Sequence, residues 1–375
     1  MANTAILPEQ QTDTSLAQNP LAQVLNSGTI DSALQQAAAD GERLLINVNV
    51  SEASYDPKTG DFDASKLTAT YSNLSGKTYN TLQADLPEGE AFSALTGKLG
   101  EAFQKSAASV MNSVPALKNL SSSLSEEKIR EIAGDQPVSG SSQLQILIDQ
   151  QGNPDAIVFK GGLSRGGESV MNTFGQINAE RIEQVAAARG IDYDGGQLLD
   201  NLVDGKFDIT SAAGFAGVAE GGQLGISASI AEDRQISGQA YLADPSAQSL
   251  NDSMLYTEVK MNPAAAAPES GMAQMSNIAN GIISNYLGQN IEIEGIDEIL
   301  GNPTGDITFV ADGIHLAKDG FSAEKGSLTA DFNNVGSLPA TLAKNLDLAG
   351  KIEDKMSEYI KDPSVDINLS TAPAP

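Results

Sequence analysis

The sequence predicts an α+β fold in which antiparallel meander sheets are each covered by an amphipathic helix. Three observations point there. Stretches such as Leu44–Val50, LLINVNV, alternate apolar and polar residues with the period of a half-buried strand. Turn-forming clusters separate such stretches; the strongest is Gln151-Gly152-Asn153-Pro154-Asp155, between two apolar runs. Longer stretches with apolar residues three and four apart follow the strand groups, as expected of helices that lay one stripe on a sheet. Short connections favour strands that fold back over parallel crossovers.

Taken in order, residues 1–28 read as a flexible polar tail. The tail has no basic start and no continuous apolar run, so no Sec signal peptide is expected, and the compartment is either cytoplasmic or reached by leaderless secretion. A unit over 29–120 opens with a helix at 30–39, with Thr29 as its N-cap and Gly41 as its stop. Strands follow at 44–50, 66–74 and 78–86, then a helix at 90–112 carrying Phe92, Leu95, Leu99, Phe103 and Val110 on one side. Residues 121–142 read as a linker holding a small helix that stops at Gly134.

The central α+β region spans 143–300. It begins with the hairpin around Gly152, followed by a helix at 168–189 built on Val170, Phe174, Ile177, Ile182 and Val185. Residues 205–261 are strand-like, and a helix at 272–287 carries Met272, Met275, Ile278 and Ile282. The last unit, 301–375, reads as strand, strand and a helix at 338–360. It resembles the first: LTATYSNL at 67–74 aligns with LTADFNNV at 328–335, which suggests an internal duplication.

Composition bounds the function. The chain has 375 residues, 40% of them hydrophobic, and a net charge of −27 from 49 acidic and 22 basic residues. Such an excess of acid repels phosphate backbones and anionic membrane surfaces, so nucleic acid is not an expected partner. No stretch approaches the length of a membrane span. With no cysteine and one histidine, thiol chemistry and structural zinc are out of reach. No cofactor motif is present: the glycines of GFAGVAEGGQLG lack the dinucleotide spacing, and GGLSRGG lacks the lysine of a phosphate loop.

One motif invites catalysis. Gly162-Leu163-Ser164-Arg165-Gly166 has G-x-S-x-G spacing and resembles the nucleophile elbow of α/β-hydrolases. That resemblance covers five residues and implies Ser164 as nucleophile with His315, the single histidine, as base. The hairpin turn upstream makes the serine strand a return arm rather than a parallel central strand, and no Gly-rich oxyanion loop precedes it. Asp192 and Asp194 in DYDGG form a weak metal candidate; the later positions of a calcium loop are filled by Gly196, Gln197 and Val203, which break the pattern.

The reading that follows is a non-enzymatic acidic binding or assembly protein acting through sheet and helix surfaces. Its partner would be another protein, a second copy of itself, or an apolar ligand held between helix and sheet. A serine hydrolase at Ser164 and a leaderless secreted bacterial effector are the alternatives.

Overall fold

The fold is that of a computed structural model. It describes residues 20–63, 66–85, 126–198, 214–247, 252–268, 270, 301–317, 320–336 and 347–371. The sequence-predicted helices at 90–112 and 272–287 lie outside these residues.

The N-terminal part comprises α1 (Pro20–Val24), α2 (Ser27–Ala39), β1 (Leu44–Asp56), β2 (Asp61–Asp63), β3 (Lys66–Asn73) and β4 (Thr78–Asp85). Then come α3 (Glu126–Ala133), β5 (Val138–Ile148), β6 (Pro154–Arg165), β7 (Glu168–Asn178) and α4 (Ala179–Arg189). The next group is α5 (Phe215–Ala219), β8 (Gln223–Ile230), β9 (Ile236–Ala243) and β10 (Leu255–Met261). The C-terminal part is β11 (Gly301–Ala317), β12 (Gly320–Val335), α6 (Leu348–Met356) and β13 (Ile360–Leu369).

The fold is α+β and dominated by antiparallel pairing, but the strands do not form separate sheets. All the described strands join one 13-stranded sheet in the order β13-β12-β11-β8-β9-β10-β7-β6-β5-β1-β3-β4, with β2 added to β1. The register explains how. A row of opposed residues runs across it: Tyr71, Ile46, Ile146, Ile157, Ile177, Leu255, Leu242, Leu224 and Ala311. Every one of them is buried. Alternation within each strand sends these side chains to one face, and a shift of one residue in any strand would turn its apolar set to water.

Helices anchor to that apolar side through specific caps and bonds. Helix α2 starts one turn earlier than the sequence suggests, because Asn26, not Thr29, is its N-cap, accepting the Thr29 backbone N–H at 2.9 Å. The Tyr71 hydroxyl of β3 donates to the carbonyl of Val24 at the end of α1. Helix α3 ends at Gly134 as expected, with φ of 54°. Its Arg130 lies 5.2 Å and 5.0 Å from the ring centres of Tyr55 and Phe62, which themselves stack at 4.6 Å.

Three further expectations change. Residues 168–178 are strand β7 and only 179–189 are helical. The helix-like spacing of Val170, Phe174 and Ile177 is overridden because β6 and β10 offer hydrogen-bonded edges on both sides. The span read as a linker contributes Val138–Ser142 to β5, paired with both β1 and β6. Beyond α6 the chain adds β13, parallel to β12, the one parallel pair among the described strands. The two similar octapeptides lie in strands, apart from Leu74 in the turn after β3, and both turn leucine, alanine and an aromatic ring toward the apolar face. The elements after them differ, however: antiparallel β4 in one case, α6 and parallel β13 in the other.

Candidate functional site

Ser164 is the penultimate residue of β6, inside a ladder with β5 and β7. Its Oγ lies 2.8 Å from Ser139 Oγ on the neighbouring strand. The two glycines that follow, Gly166 at φ 56° and Gly167 at φ 90°, make the turn from β6 to β7. Positive φ at both central residues is the geometry that a tight two-residue hairpin needs. The second glycine of G-x-S-x-G is therefore a hairpin residue, and a strand follows it where an elbow requires a helix. Arg165 locks this corner to α3, donating from Nε to the Ala133 carbonyl at 2.8 Å and from Nη2 to Asp135 at 2.8 Å.

His315 sits near the other end of β11, exposed, with Nδ1 at 2.7 Å from Glu220 Oε2. From β6 to β11 the sheet order is β6-β7-β10-β9-β8-β11, five pairings. At about 4.8 Å per pairing this is about 24 Å along the sheet. The structure thus does not bring Ser164 and His315 together. Asp192 and Asp194 are both exposed, and Asp194 Oδ1 accepts the Gln197 backbone N–H at 3.3 Å, closing a local turn. Among the described residues no three histidine, aspartate or glutamate side chains converge on a metal position.

What the sheet does assemble is a long polar face opposite the core. The row beside the buried one places Thr70, Asn47 and Gln145 on adjacent strands. It continues through Val158 and Gln176 to Tyr256 and Tyr241, which face each other. Gln143 Nε2 donates to Asn47 Oδ1 at 2.9 Å, tying two strands across this face. Near its middle, the rings of Phe174 and Tyr256 lie 6.0 Å apart. The Tyr241 ring lies against Gly225, where a Cβ would stand 2.1 Å from the ring, so only glycine fits there with the ring in this place. Its hydroxyl donates to Gln223 Oε1 at 2.6 Å, and Gln223 Nε2 in turn donates to Asp312 at 2.6 Å. Burial, with a lesser contribution from Asp312, raises the Tyr241 pKa above its ordinary value, which keeps the hydroxyl a donor. The sequence showed hydrophobic alternation but not this face, because which polar residues become neighbours depends on the register of non-local strands.

A second group missed by sequence lies where the β5–β6 hairpin meets α4. Asp155 is buried beside Arg43, whose Nε is 3.1 Å from its carboxylate. Burial outweighs that attraction and pushes the Asp155 carboxyl up, with Asp149 and Glu180 adding to the rise. Glu183 is pushed up as well, first by burial, then by Asp149, Asp155 and Glu180. The nearby Tyr193 hydroxyl is pushed up to about 12 by burial and by Glu183 and Asp194. Across α4 the balance reverses. Burial would raise Asp244, but hydrogen bonds from Ser246 and Arg181 hold it below the ordinary carboxylate range. Arg181, bonded to Asp244 and Ser246 just beyond β9, fastens α4 to the sheet.

Among the described residues no helix is long and apolar enough to cross a membrane. No known family model matches the chain, and no curated protein matches it.

Proposed function

We propose that this protein is non-enzymatic and works by binding or assembly through the surfaces of its sheet, with a protein or a second copy of the chain as partner. The observation that carries the reading is the uninterrupted register of the polar face. Rows of amide and hydroxyl side chains, with an aromatic group at the centre, span strands that are far apart in sequence. Such a surface presents many neutral donors and acceptors on a rigid frame, which suits recognition.

The chemistry around Ser164 supports the same reading. Its hydroxyl shares a hydrogen bond with Ser139, and the imidazole that a hydrolase would need is held by Glu220 elsewhere on the sheet. The test is a fluorophosphonate probe, which reacts with activated serines. The wild-type chain and the Ser164→Ala variant should remain equally unlabelled. Labelling of wild type that Ser164→Ala abolishes would establish the hydrolase and remove the binding reading.

A further inference from the structure

We infer that the outer edge of β4 is an interface at which two copies of this chain join their sheets, β4 against β4, in antiparallel pairing. Among the described residues the run of strands ends in β13 on one side and β4 on the other, with the short, acid-bearing β2 (Asp61–Asp63) set beside β1. Edge strands carry backbone donors and acceptors that invite another strand, and proteins guard them with charge or proline. The β13 edge is guarded: it contains Pro363, and Lys361, Asp362 and Asp366 are exposed along it.

The β4 edge has neither device. From Thr78 to Ala84 it reads TYNTLQA, with no charge and no proline. The flanking charges are matched within the chain, Lys77 Nζ at 2.6 Å from Asp40 and Lys66 Nζ at 4.0 Å from Asp85. In a molecule with a net charge of −27, this strand is an uncharged line along which a second copy can approach. Thr78, Asn80, Thr81 and Gln83 are all exposed. Among the described residues β4 pairs with β3 alone, so the backbone groups that point away from β3 have no strand to meet.

The strand is also held in place before any partner arrives. Tyr79 donates its hydroxyl to Asp40 at 2.8 Å, and Asp40 is the C-cap of α2. Pairing therefore costs little further ordering. Antiparallel self-pairing matches each donor with an acceptor through a two-fold axis. With that axis normal to the sheet, opposed residues must share a face, so their numbers sum to an even value. Centring it on Leu82 uses the part of β4 in regular register with β3, Asn80–Asp85, and sets Thr81 opposite Gln83 of the partner subunit.

The inference deepens the assembly reading and rests on it. Sedimentation velocity over a range of protein concentration tests it. A monomer–dimer equilibrium is expected, shifting toward dimer with added salt, because the Debye length shrinks from about 30 Å at 0.01 M to about 3 Å at 1 M and screens the acidic copies from each other. The double variant Thr81→Glu/Gln83→Glu places like charges opposite each other twice and should weaken the dimer about tenfold or more. Thr81→Glu/Gln83→Lys should restore it, and Ser364→Glu on the β13 edge should leave it unchanged. In the wild type, amide exchange over residues 80–85 should slow as concentration rises, a readout that needs no substitution. A monomer at every concentration and salt, or a dimer indifferent to the double-glutamate variant, would overturn the edge interface. Labelling of Ser164 by fluorophosphonate would instead remove the reading beneath it.

Discussion

Tyr71 is fully buried in β3, and its hydroxyl satisfies the carbonyl of Val24, so one side chain couples the first helix to the sheet. Burial pushes its pKa up to about 12, and it remains a donor throughout the physiological range. Tyr71→Phe should cost about 1–2 kcal/mol by leaving that carbonyl unpaired, read as a thermal midpoint lowered by a few degrees. Glu183 makes the opposite prediction. Its folded-state pKa stands above the ordinary glutamate value of 4.5, chiefly because it is partly buried near other carboxylates. A carboxyl raised in this way destabilises the fold where it is ionised in both states. The penalty disappears as pH falls through the folded value and below the unfolded one. Glu183→Gln should therefore raise the thermal midpoint at neutral pH by about 1–2 °C, and the gain should vanish below about pH 4. A gain that persists in acid would assign the effect to packing rather than to charge. At this scale the sequence was least legible. Glu183 and Asp155 are ordinary polar letters in a helix and a turn, and only the fold makes them neighbours.

Among elements, the β5–β6 hairpin could be read directly, because its turn residues and the flanking apolar runs are local signals. Strand β7 could not. Apolar residues at Val170, Phe174 and Ile177 match a helix as well as a strand, and the choice was made by pairing with β6 and β10, which is not local information. Strand β13 was obscured differently. Val365, Ile367 and Leu369 alternate properly, but Pro363 marks a breaker, and only an edge position reconciles the two. The G-x-S-x-G pattern is the clearest lesson at this scale. Its spacing is the same in a strand-to-helix elbow and in a Gly-Gly hairpin, and the residue after the turn decides which one forms. The β4 edge is where an element-scale change should have a molecular effect: the double-glutamate variant at Thr81 and Gln83 should separate copies of the chain while leaving each one folded.

For the whole molecule, one physical arrangement underlies the rest. The buried row from Tyr71 to Ala311 and the polar row behind it exist only because nine strands keep a common register. The α+β class, the antiparallel bias and most strand positions were legible from alternation and turn chemistry. The union of all strands into one sheet was not, because the sequence shows where strands start and stop but not which edges meet. That union sets Ser164 and His315 five pairings apart. The chain's lack of cysteine makes this directly measurable. Cysteines introduced as Ser164→Cys and His315→Cys, each carrying a nitroxide, report their separation by pulsed electron spin resonance. The account predicts a distance of about 24 Å or more; a separation under about 8 Å, close enough for local adjustment to bring serine and imidazole into hydrogen-bond contact, would contradict it.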